Sequence, residues 1–353
     1  MLPPVSAEPA NWQPSITREL AVPPIPGPPL DPDLWQPNAV EWSFLTKYIS
    51  SDPVELDRRI RRIQAIAEYE YPCIRGFHFV CLKMLENPAY PEILEIGRRA
   101  ALSGDPAYFL DLGCCMGTDL RKLLDDGYPS KLLIGGDSRR TYIDQGYELF
   151  QDSPATLPIT YVIDDMFDIP LDAKVAPLPR AVPPDSSLAR QGNLLGLGGL
   201  EDLKGRVSCI YLGSMLHLFN EETQFAAAIR LITLLRRPSA NGSDRGPKKV
   251  IVFGRQQGSE RAGMIDDWMG RERYGHSSSS LEAMWKRAFQ FTQSSLGIPE
   301  PPRWSMQSYL SGHLAGIPGN VRPHSFCQSP IFLPPLPFFY SPSLFCRRSR
   351  RIR

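Results

Sequence analysis

Between about residues 105 and 298, short apolar runs alternate with stretches whose apolar positions recur every three or four residues. The runs predict strands at Ala107–Leu112, Lys131–Gly135, Ile159–Ile163, Val207–Leu212 and Val250–Phe253. The periodic stretches predict helices at Asp119–Asp126, Arg140–Phe150, Glu221–Arg236 and Leu281–Ser295. Strands that are apolar without alternation are buried on both faces. Joined by helices, they imply a parallel sheet covered on each side, an α/β architecture.

A helical preface precedes the first strand. Asp52-Pro53-Val54-Glu55 carries the marks of a helix start: an acceptor at the cap, proline at the first helical position and Glu three residues after the cap. Leu56, Ile60, Ile63 and Ala67 follow at helical spacing, and Pro72 closes the segment. Further helices are expected over Phe77–Leu85 and Pro91–Leu102, the latter stopping at Gly104. Proline is concentrated elsewhere: 11 of the 36 prolines fall in residues 1–37 and 10 between Pro299 and Pro342. The chain therefore divides into an extended proline-rich segment (1–40), a helical cap (41–104), an α/β domain (105–298, with a loop insertion at 170–204) and an irregular proline-rich tail (299–353). No internal repeat is visible. No two clean strands can be drawn through the tail, because Pro330, Pro334, Pro335, Pro337 and Pro342 break every apolar run. An altered reading frame or an unspliced intron after about Asn320 would account for it.

Composition narrows the function more than the fold. Lys and Arg (39) nearly balance Asp and Glu (38), so the basic footprint of a nucleic-acid binder is missing. The apolar runs are too short for a membrane span. The seven cysteines form no C-x-x-C pair, which argues against structural zinc, and the first residues lack a secretory pattern. Reduced thiols in the cytoplasm are the expectation.

The candidate chemistry sits at strand ends. Asp111 closes the first strand and is followed by Gly113, Gly117 and a helix. In a parallel sheet the ligand crevice lies outside the carboxyl ends of the strands, where strand order reverses. Glycines there let the chain turn tightly and let a ligand approach. Asp137, at the tip of the second strand, can accept both hydroxyls of a ribose, with Ser138 beside it; the pair can equally cap the next helix. The third strand ends at Asp164, Asp165 and Met166; the alternative reading of Asp164 and Asp165 is a loop-opening Asp pair. His217 follows the fourth strand and is the best-placed general base or orienting group, or else a histidine paired within its loop.

The run D-L-G-C-C-M-G (111–117) resembles D-x-G-x-G-x-G, the first motif of class I S-adenosylmethionine-dependent methyltransferases. It departs at Cys115, which takes the place of the middle glycine and is expected to need a negative φ. The resemblance implies a Rossmann-like parallel sheet with helices on both faces, an α-helical N-terminal extension, and closing strands that the tail leaves missing or altered. It further implies that Asp111 faces the amino acid end of S-adenosyl-L-methionine, that Asp137 holds the ribose, and that Asp165 and Met166, with Asp164 adjacent, meet the adenine. YPCIRGFHFV (71–80), GGDSRRTYIDQGYELF (135–150), VIDDMFD (162–168) and IYLGSMLHLFNEETQ (210–224) look like the fungal methyltransferases of meroterpenoid pathways such as those of austinol, terretonin and andrastin. That similarity covers roughly residues 40–296. It implies methyl esterification of a carboxyl group on a farnesylated dimethylorsellinic acid-type intermediate, a prenylated aromatic or terpenoid acid, by a homodimer. The alternatives are transfer to a hydroxyl or carbon of another secondary metabolite, or a non-catalytic cofactor-binding relative.

Overall fold

A computed structural model describes residues 14–16, 32–67, 72–180, 182–237, 249–265, 273–298, 305–311, 325–328 and 331–333. Most of the proline-rich first segment, the tail beyond Leu333 and its terminal arginines lie outside the described residues.

Five strands, β1 (Tyr108–Leu112), β2 (Leu133–Asp137), β3 (Thr160–Ile163), β4 (Val207–Gly213) and β5 (Val250–Gly258), pair in parallel in the order β3-β2-β1-β4-β5. The order reverses between β1 and β4, so a crevice opens at their carboxyl ends. Alternation along the strands separates two cores. Leu110, Leu112, Ile210, Leu212 and Val252 face one layer, and Phe109, Cys209, Tyr211, Ile251 and Phe253 face the other. Because both faces are apolar, the strands read as continuous runs in the sequence.

The preface begins with α1 (Ala39–Tyr48) and α2 (Pro53–Ile66). Asn38 caps α1 in a capping box: its side chain accepts from the amides of Val40 and Glu41, and Glu41 accepts from the Asn38 amide at 3.0 Å. Asp52 caps α2 as the sequence suggested, accepting from the Val54 amide at 3.0 Å. A short α3 (Pro72–Arg75) follows, then the helix expected over Phe77–Leu85 fails to form. Phe77 sits at φ 58°, and only a single 3-10 turn, His78–Val80, survives. This irregular segment cannot satisfy its backbone internally, and side chains from elsewhere do so. Glu41 accepts from the Leu82 amide, Asp119 accepts from the Met84 amide, and the Thr118 hydroxyl donates to the Phe79 carbonyl. Helix α4 (Tyr90–Ser103) ends on Gly104 in the left-handed region, as the glycine predicted.

Within the α/β part, α5 (Thr118–Asp125) and α6 (Arg140–Phe150) follow β1 and β2. The insertion at 170–204 is more than a loop: it contains α7 (Ser187–Arg190) and buries Leu197, Leu200 and Leu203 in the core. α8 (Glu221–Leu234) and α9 (Ser278–Leu296) cover that same face, and a small hairpin, β6 (Gly263–Ile265) with β7 (Arg273–Gly275), lies between them in sequence.

The sheet also closes. β8 (Ser305–Met306), β9 (Tyr309–Ser311), β10 (Ser325–Gln328) and β11 (Ile331–Leu333) are all short. β10 runs antiparallel to β5 along Arg255–Gly258 and also pairs with β9, whereas β11 pairs with β5 along Val250–Val252. Closing strands are therefore present in altered form, the second of the two outcomes expected from the tail, although clean strands could not be drawn through it from the sequence. The prolines bound these strands instead of interrupting them, Pro330 standing between β10 and β11 and Pro334 just after β11.

α6 rests directly on the turn after β1: a Cβ at Gly146 would collide with the Met116 carbonyl oxygen. Gly146→Ala should therefore cost about 1–3 kcal/mol of stability through overpacking, read as a lowered urea midpoint. An unchanged midpoint would show that this contact can relax.

Candidate active site

The turn from Gly113 to Gly117 is pinned to the tip of β2. The amides of Gly113 and Cys114 both donate to the Gly136 carbonyl, and the Cys115 amide donates to Asp137 Oδ2 at 2.9 Å. The other oxygen of Asp137 accepts from the Arg139 amide at 3.0 Å. This geometry needs three left-handed residues, Gly113 (φ 74°), Cys115 (φ 51°) and Gly117 (φ 69°). The expected negative φ at Cys115 is thus corrected: directing its amide toward Asp137 places a non-glycine residue where L side chains are strained. A second such residue, Ser214 (φ 63°), follows β4, and its amide donates to the Arg255 carbonyl.

Around this turn lies a cavity of about 380 Å³, within the size range of small-molecule sites. Its lining includes Asp111, Gly113, Cys115, Asp137, Ser138, Asp164, Asp165 and Met166. Three strand tips therefore converge on one space. The Asp164 carboxylate accepts from the Leu200 amide at 2.7 Å, drawing the insertion against the end of β3. Asp165 caps the turn Met166–Asp168 by accepting from the Phe167 amide, and Met166 and Phe167 are buried beside it. Gly117, also in this turn, has no room for a side chain because Tyr161 and Arg121 fill the space.

The electrostatics are those of desolvated acid. Burial pushes the Asp111 carboxyl well above the usual range, with Asp119 and Asp137 adding to the rise. Asp137 is also raised by burial, against the amides of Cys115 and Arg139 that favour its ionised form. Asp119 is pushed up to about 7 by burial, opposed by the Met84 amide and by the charges of Arg255 and Lys83. Desolvation raises the thiols of the buried Cys114 and the half-buried Cys115 well above their usual range, and so both are poor nucleophiles.

One expectation about the site changes. His217 is not among the residues lining the cavity: it lies in the turn Leu216–Leu218, where its Nδ1 accepts from the Gln257 amide at 3.2 Å. Met215, Leu218 and Phe219 form the wall there instead. His78, in the irregular segment of the cap, does line the cavity, and its pKa is lowered to about 4 by burial and then by Lys83 and Arg255. Phe79 lines it too, while Phe77 is in the core of the cap. Asp119, Lys83 and Arg255 were missed. The only signal for Asp119 was its place in the first turn of the helix after the glycines; Arg255 lay beyond the strand expected at Val250–Phe253. Among the described residues no cluster of His, Cys, Asp and Glu could hold a metal ion, and no helix is long and apolar enough to cross a membrane.

The strand order, the antiparallel closing strands and the glycine turn are those of the class I methyltransferase fold. The chain is similar in sequence to fungal methyltransferases. It is 32% identical over 228 residues to the O-methyltransferase phiE of a fungal species, covering 64% of this chain and 62% of that protein. It is 31% identical over 195 residues to the asnovolin E/chermesin D methyltransferase nvfJ of Aspergillus novofumigatus, covering 55% of this chain and 58% of that protein. The chain thus spans about three fifths of the length of these curated relatives. A solved structure of the 1,6-didemethyltoxoflavin-N1-methyltransferase of Burkholderia thailandensis aligns at 12% identity with a TM-score of 0.38, covering 87% of this chain and 93% of that one. No family model matches the chain.

The raised carboxyl of Asp119 has a pH consequence. A folded-state pKa of about 7, against 3.8 unperturbed, means that the folded chain keeps a proton which the unfolded chain loses near pH 4. The favourable contribution is complete below that value and is lost as pH rises toward 7, then stays level. Asp119→Asn, which keeps an acceptor for the Met84 amide, should therefore gain stability over the parent at pH 7.5 relative to pH 4.5. Denaturant midpoints at the two pH values measure this, and an equal offset at both would contradict it.

Proposed function

We propose that the chain is an S-adenosyl-L-methionine-dependent O-methyltransferase that forms a methyl ester on a carboxyl group of a prenylated aromatic or terpenoid acid, of the farnesylated dimethylorsellinic acid type, in fungal secondary metabolism. The observation that carries the reading is the convergence of Asp111, Asp137 and Asp165 with the left-handed turn on one cavity. The residues present suit that cofactor. Asp111 would face its ammonium group, and a cation beside it would draw back the raised carboxyl. Asp137 and Ser138 would take the ribose hydroxyls, Asp165 the adenine amino group, and Met166 with Phe167 the ring face. Asp164 would hold the insertion over that end. Similarity to phiE and nvfJ supports both the cofactor and the setting in secondary metabolism. A homodimer, which the sequence resemblance implies, and a cytoplasmic location, which the cysteine usage suggests, belong to the same proposal.

When bound, the cofactor supplies an activated methyl group on sulfonium sulfur. The protein's contribution is then chiefly placement, since holding nucleophile and methyl in line removes most of the entropic barrier. Met215, Leu218 and Phe219 form the apolar wall suited to a prenyl chain. A carboxylate acceptor is ionised at neutral pH and needs no proton removed. This agrees with a cavity whose histidine, His78, is a weak base.

Incubation with methyl-labelled S-adenosylmethionine and farnesylated dimethylorsellinic acid should give a labelled product that alkali hydrolyses. Label resistant to alkali would mean an ether and would overturn the ester reading. Asp137→Ala should weaken S-adenosylhomocysteine binding at least roughly tenfold by calorimetry, because buried hydroxyls lose their acceptor. An unchanged affinity in a folded variant would remove Asp137 from the cofactor site.

A further inference from the structure

Two cations line one part of the cavity, beside the acids Glu86 and Asp119, and nothing in the roles above uses them. Lys83, in the irregular segment of the cap, and Arg255, in the outer half of β5, both line the cavity. They come from distant parts of the chain yet meet on one carboxylate. Lys83 Nζ lies 3.3 Å from Glu86 Oε1, and Arg255 Nη1 lies 3.1 Å from Glu86 Oε2. The Arg255 side chain is only 12% exposed, so its guanidinium is largely desolvated where it meets the cavity. Such an arginine is suited to forked recognition of a planar carboxylate. Its strand is also not one of the three that carry the strand-tip acids. Arg255 is in register with Gly213 on β4, and β4 lies between β5 and β1. Two interstrand spacings put its strand roughly 10 Å from that of Asp111. The third cation of the lining, Arg139, follows Asp137 and Ser138 after β2.

We propose that Lys83 and Arg255 are the docking site for the acceptor's carboxylate and set the preference for an acid over a neutral acceptor; this rests on the ester-forming reading above. Two neighbouring observations agree. His78 is held neutral, its pKa lowered to about 4, so it does not compete for the anion; Asp119, near 7, is partly protonated at neutral pH and repels it less. With one carboxylate oxygen held by the cations, the other is left to attack. That oxygen forms a bond to the methyl carbon as the carbon–sulfur bond breaks, the bonding pair remaining on sulfur. No proton moves. The anion and the sulfonium become a neutral ester and a neutral thioether. The ester has lost the charge that held it to Lys83 and Arg255, so the pair favours the substrate over its own product.

The test uses the full chain saturated with S-adenosylhomocysteine, and compares binding of farnesylated dimethylorsellinic acid with that of its carboxamide. The parent should prefer the acid. Lys83→Gln and Arg255→Gln should each lower affinity for the acid roughly ten- to a hundredfold, leaving the carboxamide and S-adenosylhomocysteine affinities unchanged. Arg255→Lys should restore part of the preference. Lys83 is a quarter exposed, so its replacement tests the idea without disturbing the core. If either Gln variant loses S-adenosylhomocysteine affinity in parallel, the pair serves the cofactor and the proposal is overturned; an undiminished preference for the acid in both overturns it equally. A parent chain that methylates only hydroxyl acceptors would instead refute the ester reading itself, a failure visible without any variant.

Discussion

The Asp137 carboxylate joins the two halves of the cleft. One oxygen takes the amide of Cys115 and the other takes that of Arg139, so the turn after β1 and the start of α6 share a single acceptor. Around it, the Gly136 carbonyl receives two further amides from the turn. The backbone must reverse within five residues to make these bonds, which explains the left-handed conformations at positions 113, 115 and 117. Strain at Cys115 is therefore offset by an ionic hydrogen bond in a desolvated setting, where such bonds are stronger than in water. Backbone strain of this kind can hold a site in shape; of the non-glycine residues at positive φ among the described residues, Cys115 and Ser214 border this cavity, whereas Phe77 and Gln151 do not.

The same arrangement polarises the cleft. Acids from β1, β2 and β3 gather at one end, and burial raises those of β1 and β2. The wall near β4 is apolar, and cations lie beyond it at β5 and the cap. A ligand spanning this gradient would carry positive charge and hydroxyls toward the first three strands. An anionic, apolar partner would lie on the far side. The fold separates the two by placing its reversal of strand order between β1 and β4.

Much of this was legible in the sequence for simple reasons. β1 to β4 are largely buried on both faces, so apolar runs such as Cys209–Leu212 betray them. Asp52-Pro53 marks a helix start by local chemistry alone. Where structure depends on distant partners, the sequence is silent. β5 continues through Arg255, Gln256 and Gln257 because β10 pairs with it, although those residues look like a loop. The segment after Phe77 has helical spacing, yet its shape is imposed by Glu41, Thr118 and Asp119 from other elements. His217 sits at a promising place after β4, but the 3-10 turn gives the cavity to its neighbours Met215 and Leu218. His78, Asp119 and Arg255 meet only in three dimensions.

The most direct measurement is a crystal structure of the chain with S-adenosylhomocysteine. The account predicts the nucleoside lying across the ends of β1, β2 and β3, with both ribose hydroxyls on the Asp137 carboxylate and the amino acid end beside Asp111. A ligand bound outside this cavity, or a ribose that makes no contact with Asp137, would contradict it.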